Sequence, residues 1–266
     1  MTSLVFDIGG TNTRIATTDG VKLEEIEKFA TPSPSECLER IKSYIGRRGV
    51  TADKAVGGVA GSVNNGRVVA AKYLQEWEGF DLASAMRETC GISNTRLFND
   101  AELAGIGEAV RGAGREKKVV AYITVSTGVG GALIVDGVSV PHLTGEEPGK
   151  QIIDCENMRT LESFVGGRSL EEELNTAPED LSQEVFDNRM QMLAVGMYNV
   201  VRLWSPEVLI MGGSLMNEDK GYKIDALSAE INKINAGAVE LPIIIHSSLG
   251  DSSGLYGAAS LSLSDA

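Results

Sequence analysis

The sequence predicts a mixed α/β protein built from two related lobes, and three observations carry that prediction. A strand, a Gly-rich turn, a second strand and an Asp-Gly reversal run through SLVFDIGGTNTRIATTDG and recur in VVAYITVSTGVGGALIVDG. The stretch TRLFNDAELAGIGEAV reads as a buried strand feeding directly into a helix, the junction at which open α/β sheets place ligands. A third apolar run, EVLIMGGSL, ends in Gly212-Gly213 after Pro206 has closed a long helix.

Each element follows from its residues. The opening segment gives a strand, a tight turn, a strand, a reversal at Asp19-Gly20 and a third strand. A helix is expected over about residues 33–47, where Cys37, Leu38, Ile41, Tyr44 and Ile45 share one face, and the Gly49 region ends it. A short apolar strand, AVGGVAG, comes next. After the second hairpin unit, which reverses at Asp136-Gly137, a helix over about 182–204 carries Leu193, Met197, Val200, Val201 and Trp204 on one face. The last strand, LPIIIHSS, precedes a helix of small residues beginning near Ser253. No low-complexity linker divides the chain, so the duplication sets the expected domains: 1–104 as the first lobe, 105–253 as the second, and 254–266 returning to the first.

Composition narrows the function. The chain has 266 residues, with 24 Lys and Arg against 37 Asp and Glu, and the net charge of −13 is relieved by no basic arm or stripe. A nucleic-acid partner is therefore not expected. Nothing approaches the roughly 18 uninterrupted apolar residues of a membrane span, and MTSLVFDIGG lacks a signal peptide's basic and apolar regions. A cytoplasmic protein with no membrane partner is expected. Cys37, Cys90 and Cys155 are odd in number and far apart, which implies reduced thiols and no structural zinc.

The residues able to carry chemistry sit at the turns. In Asp7-Ile8-Gly9-Gly10-Thr11-Asn12 the glycines allow backbone N–H groups to approach a phosphate, and Asp7 could hold hydrated magnesium. The bland alternative is a hairpin whose glycines satisfy positive φ. The second turn, with Thr127 and Gly128, repeats the arrangement and favours a nucleotide held by two phosphate clasps. Asn99-Asp100 between strand and helix reads as a helix cap, yet Asp100 is also placed to accept a proton from an attacking hydroxyl. Two decoys fall away: GEEPGKQ has Walker-like residues at the wrong spacing, and no Gly-x-Gly-x-x-Gly opens a dinucleotide-binding helix.

Together these segments resemble the ROK family of bacterial sugar kinases and related glucokinases over nearly the whole chain. FDIGGTNTR is similar to the family's first phosphate motif, FNDAELAGIGE to its catalytic-aspartate motif and VSTGVGGALIVDG to its second phosphate motif. PEVLIMGGS resembles the adenosine-side strand and SLGDSSGLYGAAS the closing helix. The resemblance implies a two-lobed actin-like (ribonuclease H-like) ATPase fold with an interlobe cleft. It implies ATP and magnesium as cofactors, with Asp7, Gly9, Gly10, Thr11, Asn12, Thr127, Gly128, Gly212 and Gly213 on the nucleotide side. Asp100 is implied as the base that deprotonates a sugar hydroxyl, usually on carbon six. Asn99, Glu147 and Glu162 are implied as sugar contacts, and Gly61, Ser62 and Lys150 are assigned to the same set. A sugar and ATP are the expected partners, and a homodimer is the expected assembly.

Three departures bear on the substrate. Lys150 stands where the family's Glu-x-Gly-His stretch carries histidine, the run IDCENMRTLE retains Cys155 alone of a three-cysteine zinc motif, and Tyr73 replaces an asparagine before Trp77. Glucose is the first expectation, N-acetylhexosamines the next. A non-catalytic sugar or nucleotide sensor is the competing class, and a ROK repressor, which carries a helix-turn-helix before its first phosphate strand, stands further behind.

Overall fold

In a computed structural model, which describes residues 2–140 and 145–263, the chain divides into two compact units: Met1–Val110 with Asp251–Ala266, and Arg111–Gly250.

The first unit starts with β1 (Ser3–Ile8), β2 (Asn12–Thr18) and β3 (Leu23–Ala30), an antiparallel meander in which Asp7 stands opposite Arg14. Helix α1 (Pro34–Arg48) follows, with Pro34 preset for the first helical turn and Gly49 taking φ +61° just past its end. Then come β4 (Lys54–Val59), a small hairpin of β5 (Ser62–Asn64) and β6 (Arg67–Ala70), and α2 (Leu82–Cys90), which Asp81 caps by accepting from the Ser84 amide. Strand β7 (Asn94–Asn99) runs without a break into α3 (Asp100–Arg111). The sheet order is β3-β2-β1-β4-β7, with β1, β4 and β7 parallel. Cys37, Leu38, Ile41 and Tyr44 of α1 close one core with Leu4, Phe6, Ile8, Trp77, Leu82 and Met86.

The second unit repeats the plan. Strands β8 (Val119–Val125), β9 (Val129–Val135) and β10 (Val138–Ser139) form its meander. A hairpin of β11 (Ile152–Asp154) and β12 (Arg159–Thr160), helices α4 (Leu161–Val165), α5 (Gly167–Leu174) and α6 (Gln183–Trp204), strand β13 (Val208–Gly212), helix α7 (Ile224–Asn235) and strand β14 (Ile243–His246) complete it. Its sheet order, β10-β9-β8-β13-β14, matches the first strand for strand, again with three parallel members. The duplication expected from the sequence is thus a repeat of topology. The two reversals differ in detail: Asp136-Gly137 is a two-residue turn with both φ positive, whereas four residues, 19–22, separate β2 from β3 and the Asp19 carboxylate accepts from the Val21 and Lys22 amides.

Helix α8 (Ser253–Ser262) packs on β1 and β4, so the end of the described chain rejoins the first unit. That unit, expected to close near residue 104, runs on to Val110. Gly107 of α3 lies so close to α8 that a β-carbon on it would fall 2.1 Å from the Ser253 carbonyl oxygen. Glu108, fully buried, accepts a hydrogen bond from the Ser253 hydroxyl at 2.9 Å in the same contact.

Candidate active site

The expected site residues fall into two sets, one in each unit.

In the first unit the β1–β2 turn is tied down through its carbonyls. The Gly9 amide donates to the Asn12 carbonyl at 3.0 Å, the Thr31 amide to Thr11 at 2.9 Å and the Thr31 hydroxyl to Gly9 at 2.7 Å. Gly10 and Thr11 are left exposed at the tip. Neither Gly9 nor Gly10 has positive φ, so the positive-φ hairpin is not the reason for them. Close approach is: a β-carbon on Gly9 would meet the Asn12 carbonyl at 3.0 Å, and one on Gly10 would meet the Tyr73 β-carbon at 3.3 Å. Tyr73 therefore lies against the turn itself.

Asp7 and Asp100 share one acidic patch. They are separated by β4, where Gly58 is the register partner of Asp7, and a β-carbon on Gly58 would fall 3.1 Å from the Asp100 α-carbon. Burial pushes the Asp7 carboxyl up to about 7, repulsion from Asp100 adds to it, and Arg14, whose guanidinium nitrogen lies 3.7 Å away, only partly opposes it. Arg14 is committed elsewhere: it donates to Asp251 at 2.6 Å, as Lys28 does at 2.8 Å, and these two cations hold Asp251 below the usual carboxylate range.

Asn99 caps α3, as its sequence position suggested. Its side-chain oxygen accepts from the Ala101 and Glu102 amides at 2.9 and 3.2 Å, while its amide group donates to the Gly61 carbonyl at 3.1 Å. Gly61 is held close to the β5–β6 hairpin, since a β-carbon there would overlap the Ala70 carbonyl at 2.3 Å, and Ser62 begins β5 beside it. Asp100 itself shares the Ala101 amide at 2.9 Å.

In the second unit the β8–β9 turn is held the same way. The Ser126 amide donates to Gly128, and the Ser126 and Thr127 carbonyls accept from the Gly167 and Arg168 amides at 2.7 and 2.9 Å. Gly213, with φ +94°, and Gly212 sit against the end of β8, where β-carbons would strike the Val125 carbonyl at 2.3 Å and the Tyr122 hydroxyl at 2.6 Å.

Lys150 is drawn to Glu162, not out to water. Its ammonium lies 2.7 Å from one Glu162 oxygen, and the other oxygen accepts the Val129 amide at 3.0 Å. Glu162 is buried in the first turn of α4, whereas Lys150 remains half-exposed. Burial raises the Glu147 carboxyl, Lys150 pulls it back and Glu162 adds to the rise, so the three side chains share one electrostatic environment. The rejected Walker-like stretch forms a single 3₁₀ turn over Pro148–Lys150. Reading the sequence missed Thr31, Asp251 and the Gly166-Gly167 pair. The pair's only signal was two adjacent glycines opening a helix, which by itself reads as a loop.

The repeated five-stranded sheets, each with a Gly turn on its meander, define an actin-like fold. The ROK family model matches residues 4–265, and the chain belongs to the ROK family. It is 27% identical over 304 residues to the N-acetyl-D-glucosamine kinase of Pectobacterium atrosepticum, covering 98% of both chains. Among solved structures it is similar to a ROK hexokinase from Thermus thermophilus, with 23% identity, a TM-score of 0.84 and full coverage of both chains. A ROK glucokinase from Streptomyces griseus in complex with glucose and AMPPNP gives 22% identity and a TM-score of 0.78 over 98% of this chain and 99% of that one.

Proposed function

We propose that this protein transfers a phosphoryl group from ATP to a sugar hydroxyl, glucose at carbon six being the first candidate acceptor. The observation that carries this reading is the Asp7–Asp100 patch beside a Gly turn whose tip, Gly10-Thr11, is exposed. Two carboxylates that repel each other while one is largely withdrawn from water form an environment that a divalent cation relieves. Asp7 fits hydrated magnesium, which takes only one or two protein carboxylates and which, when bound, neutralises phosphate charge. Asp100 then acts as the general base, accepting the proton of the attacking hydroxyl. Both Gly turns donate backbone N–H groups to phosphates, Gly212 and Gly213 lie on the adenosine side, and Asn99, Gly61, Ser62, Glu147, Lys150 and Glu162 contact the sugar.

A second acceptor class is favoured by the Pectobacterium relative, whose name is that of an N-acetyl-D-glucosamine kinase. A cytoplasmic homodimer completes the reading, and among the described residues no helix is long and apolar enough to cross a membrane. A coupled ADP-release assay over hexoses and N-acetylhexosamines tests the whole proposal. Sugar-dependent ADP release is the expected result, and the preferred acceptor names the substrate. Binding of sugar or nucleotide with no ADP release from any acceptor would replace the kinase by a sensor.

A further inference from the structure

Glu162 touches more than a sugar pocket would require. One of its oxygens takes the amide of Val129, the residue directly after the second phosphate turn, and the other holds Lys150. The same chain segment grips that turn twice more, through the Gly167 and Arg168 amides on the Ser126 and Thr127 carbonyls. The approach depends on missing side chains: a β-carbon on Gly166 would lie 3.3 Å from the Thr127 carbonyl and one on Gly167 would lie 2.9 Å from that of Ser126. Gly149 is equally confined, since a β-carbon there would overlap the Val129 carbonyl at 2.3 Å. Residues flanking Lys150 and Glu162 are thus packed against the turn from both sides.

We infer that Lys150 is a positioning residue for the nucleotide, acting through Glu162, and that this pair couples sugar binding to nucleotide binding. This rests on the kinase reading above. A buried carboxylate keeps its charge only while that charge is compensated, and the ammonium at 2.7 Å compensates it. Without the ammonium, Glu162 either takes up a proton or turns toward water, and its bond to the Val129 amide weakens. The turn then loses one of its three braces. Each carboxylate oxygen has two acceptor sites, so a sugar hydroxyl can bind Glu162 without displacing Lys150 or Val129. A bound sugar immobilises the same carboxylate and stiffens the turn, and by linkage nucleotide strengthens sugar binding by the same factor.

The test is calorimetric binding of magnesium-AMPPNP without and with the preferred sugar, for the wild type and for Lys150→Met, Lys150→Arg and Glu147→Gln. Lys150→Met is expected to weaken nucleotide binding about tenfold in the absence of sugar and to abolish its tightening by sugar. Lys150→Arg restores both, since it keeps the cation. Glu147→Gln weakens sugar binding and does not weaken sugar-free nucleotide binding, because the bond to the Val129 amide comes from Glu162 and removing the Glu147 charge leaves Lys150 to that carboxylate. Amide hydrogen exchange at Val129, faster in Lys150→Met at unchanged melting temperature, separates loss of the brace from general unfolding. Equal nucleotide affinity in wild type and Lys150→Met overturns the inference. A wild type that binds no nucleotide at all overturns instead the kinase reading on which it rests.

Discussion

Gly257 of α8 lies so close to Leu103 of α3 that a β-carbon on the glycine would fall 1.9 Å from the leucine carbonyl oxygen. The obstacle is helix backbone, which cannot move aside as a side-chain tip can. Gly257→Ala gains about 1 kcal/mol of helix propensity but overpacks a backbone contact, at ~1–3 kcal/mol or more. A net loss in thermal melting midpoint is expected. Gly46→Ala supplies the contrast: nothing lies within 4 Å of a β-carbon at that exposed position of α1, so the midpoint should rise by a few degrees, following about 0.5–1 kcal/mol of stabilisation. A melting curve for each variant checks the pair.

Asp100→Asn should lower turnover by about 10²–10⁴-fold while leaving sugar and nucleotide affinities close to wild type. The fold survives because Asn99 caps α3 with two amide hydrogen bonds of its own. Asn99→Ala, in contrast, should cost about 1 kcal/mol of stability. Single-turnover kinetics and binding measured on the same preparations separate the two effects, and near-normal turnover in Asp100→Asn would remove it as the base.

Asp7 sets a pH dependence opposite to that of an ion-paired acid. Its carboxyl rises from an ordinary 3.8 to about 7 in the folded chain, so the native state binds the extra proton. The cost of ionising it is absent below the unfolded value and grows as pH rises from about 4 to about 7. In chelator, Asp7→Asn should therefore melt higher than the wild type at pH 8, by about 2–4 °C per kcal/mol relieved, with the difference shrinking toward pH 4. Added magnesium should narrow it at pH 8 by stabilising only the wild type. A pH-independent difference would show that Asp7 is not a destabilised acid.

The thiols should report their surroundings. Burial raises Cys37 to about 12 and Cys90 to about 11, so neither supplies thiolate at pH 8, whereas Cys155 is exposed. A chromogenic disulfide reagent should titrate one thiol quickly in the native protein and three in denaturant. The same preparation should carry no stoichiometric zinc and keep its melting midpoint in chelator. Zinc lost together with stability would reverse this expectation.

The duplication was readable because a strand, a Gly turn and a strand recur with the same residue types, and those types answer to local sterics. Helix α1 and helix α6 were readable from period, with Gly49 and Pro206 marking their ends. The β5–β6 hairpin and helices α2, α4, α5 and α7 were not assigned; several are short, and their apolar residues are too few to fix a period before partners are known. At the site, the Asn99 cap was legible because its partners are two and three residues away. Which carboxylate Lys150 pairs with was not: Glu147 lies three residues before it, while Glu162, its partner at 2.7 Å, is brought in by a fold-back of the chain. For Gly9 and Gly10 the positive-φ alternative does not hold, and the crowding of Gly10 by Tyr73 was not legible because it is a tertiary contact.

The return of α8 to the first sheet sets an order of assembly during synthesis. Residues 111–250 form their unit from one continuous stretch, so that unit can close as soon as it leaves the ribosome. The unit that is translated first must wait with the β1 and β4 surfaces that receive α8 uncovered until residues 253–262 emerge. A nascent chain therefore exposes one face of β1 and β4 for most of its synthesis, and the later-made half is the first to become resistant to proteases.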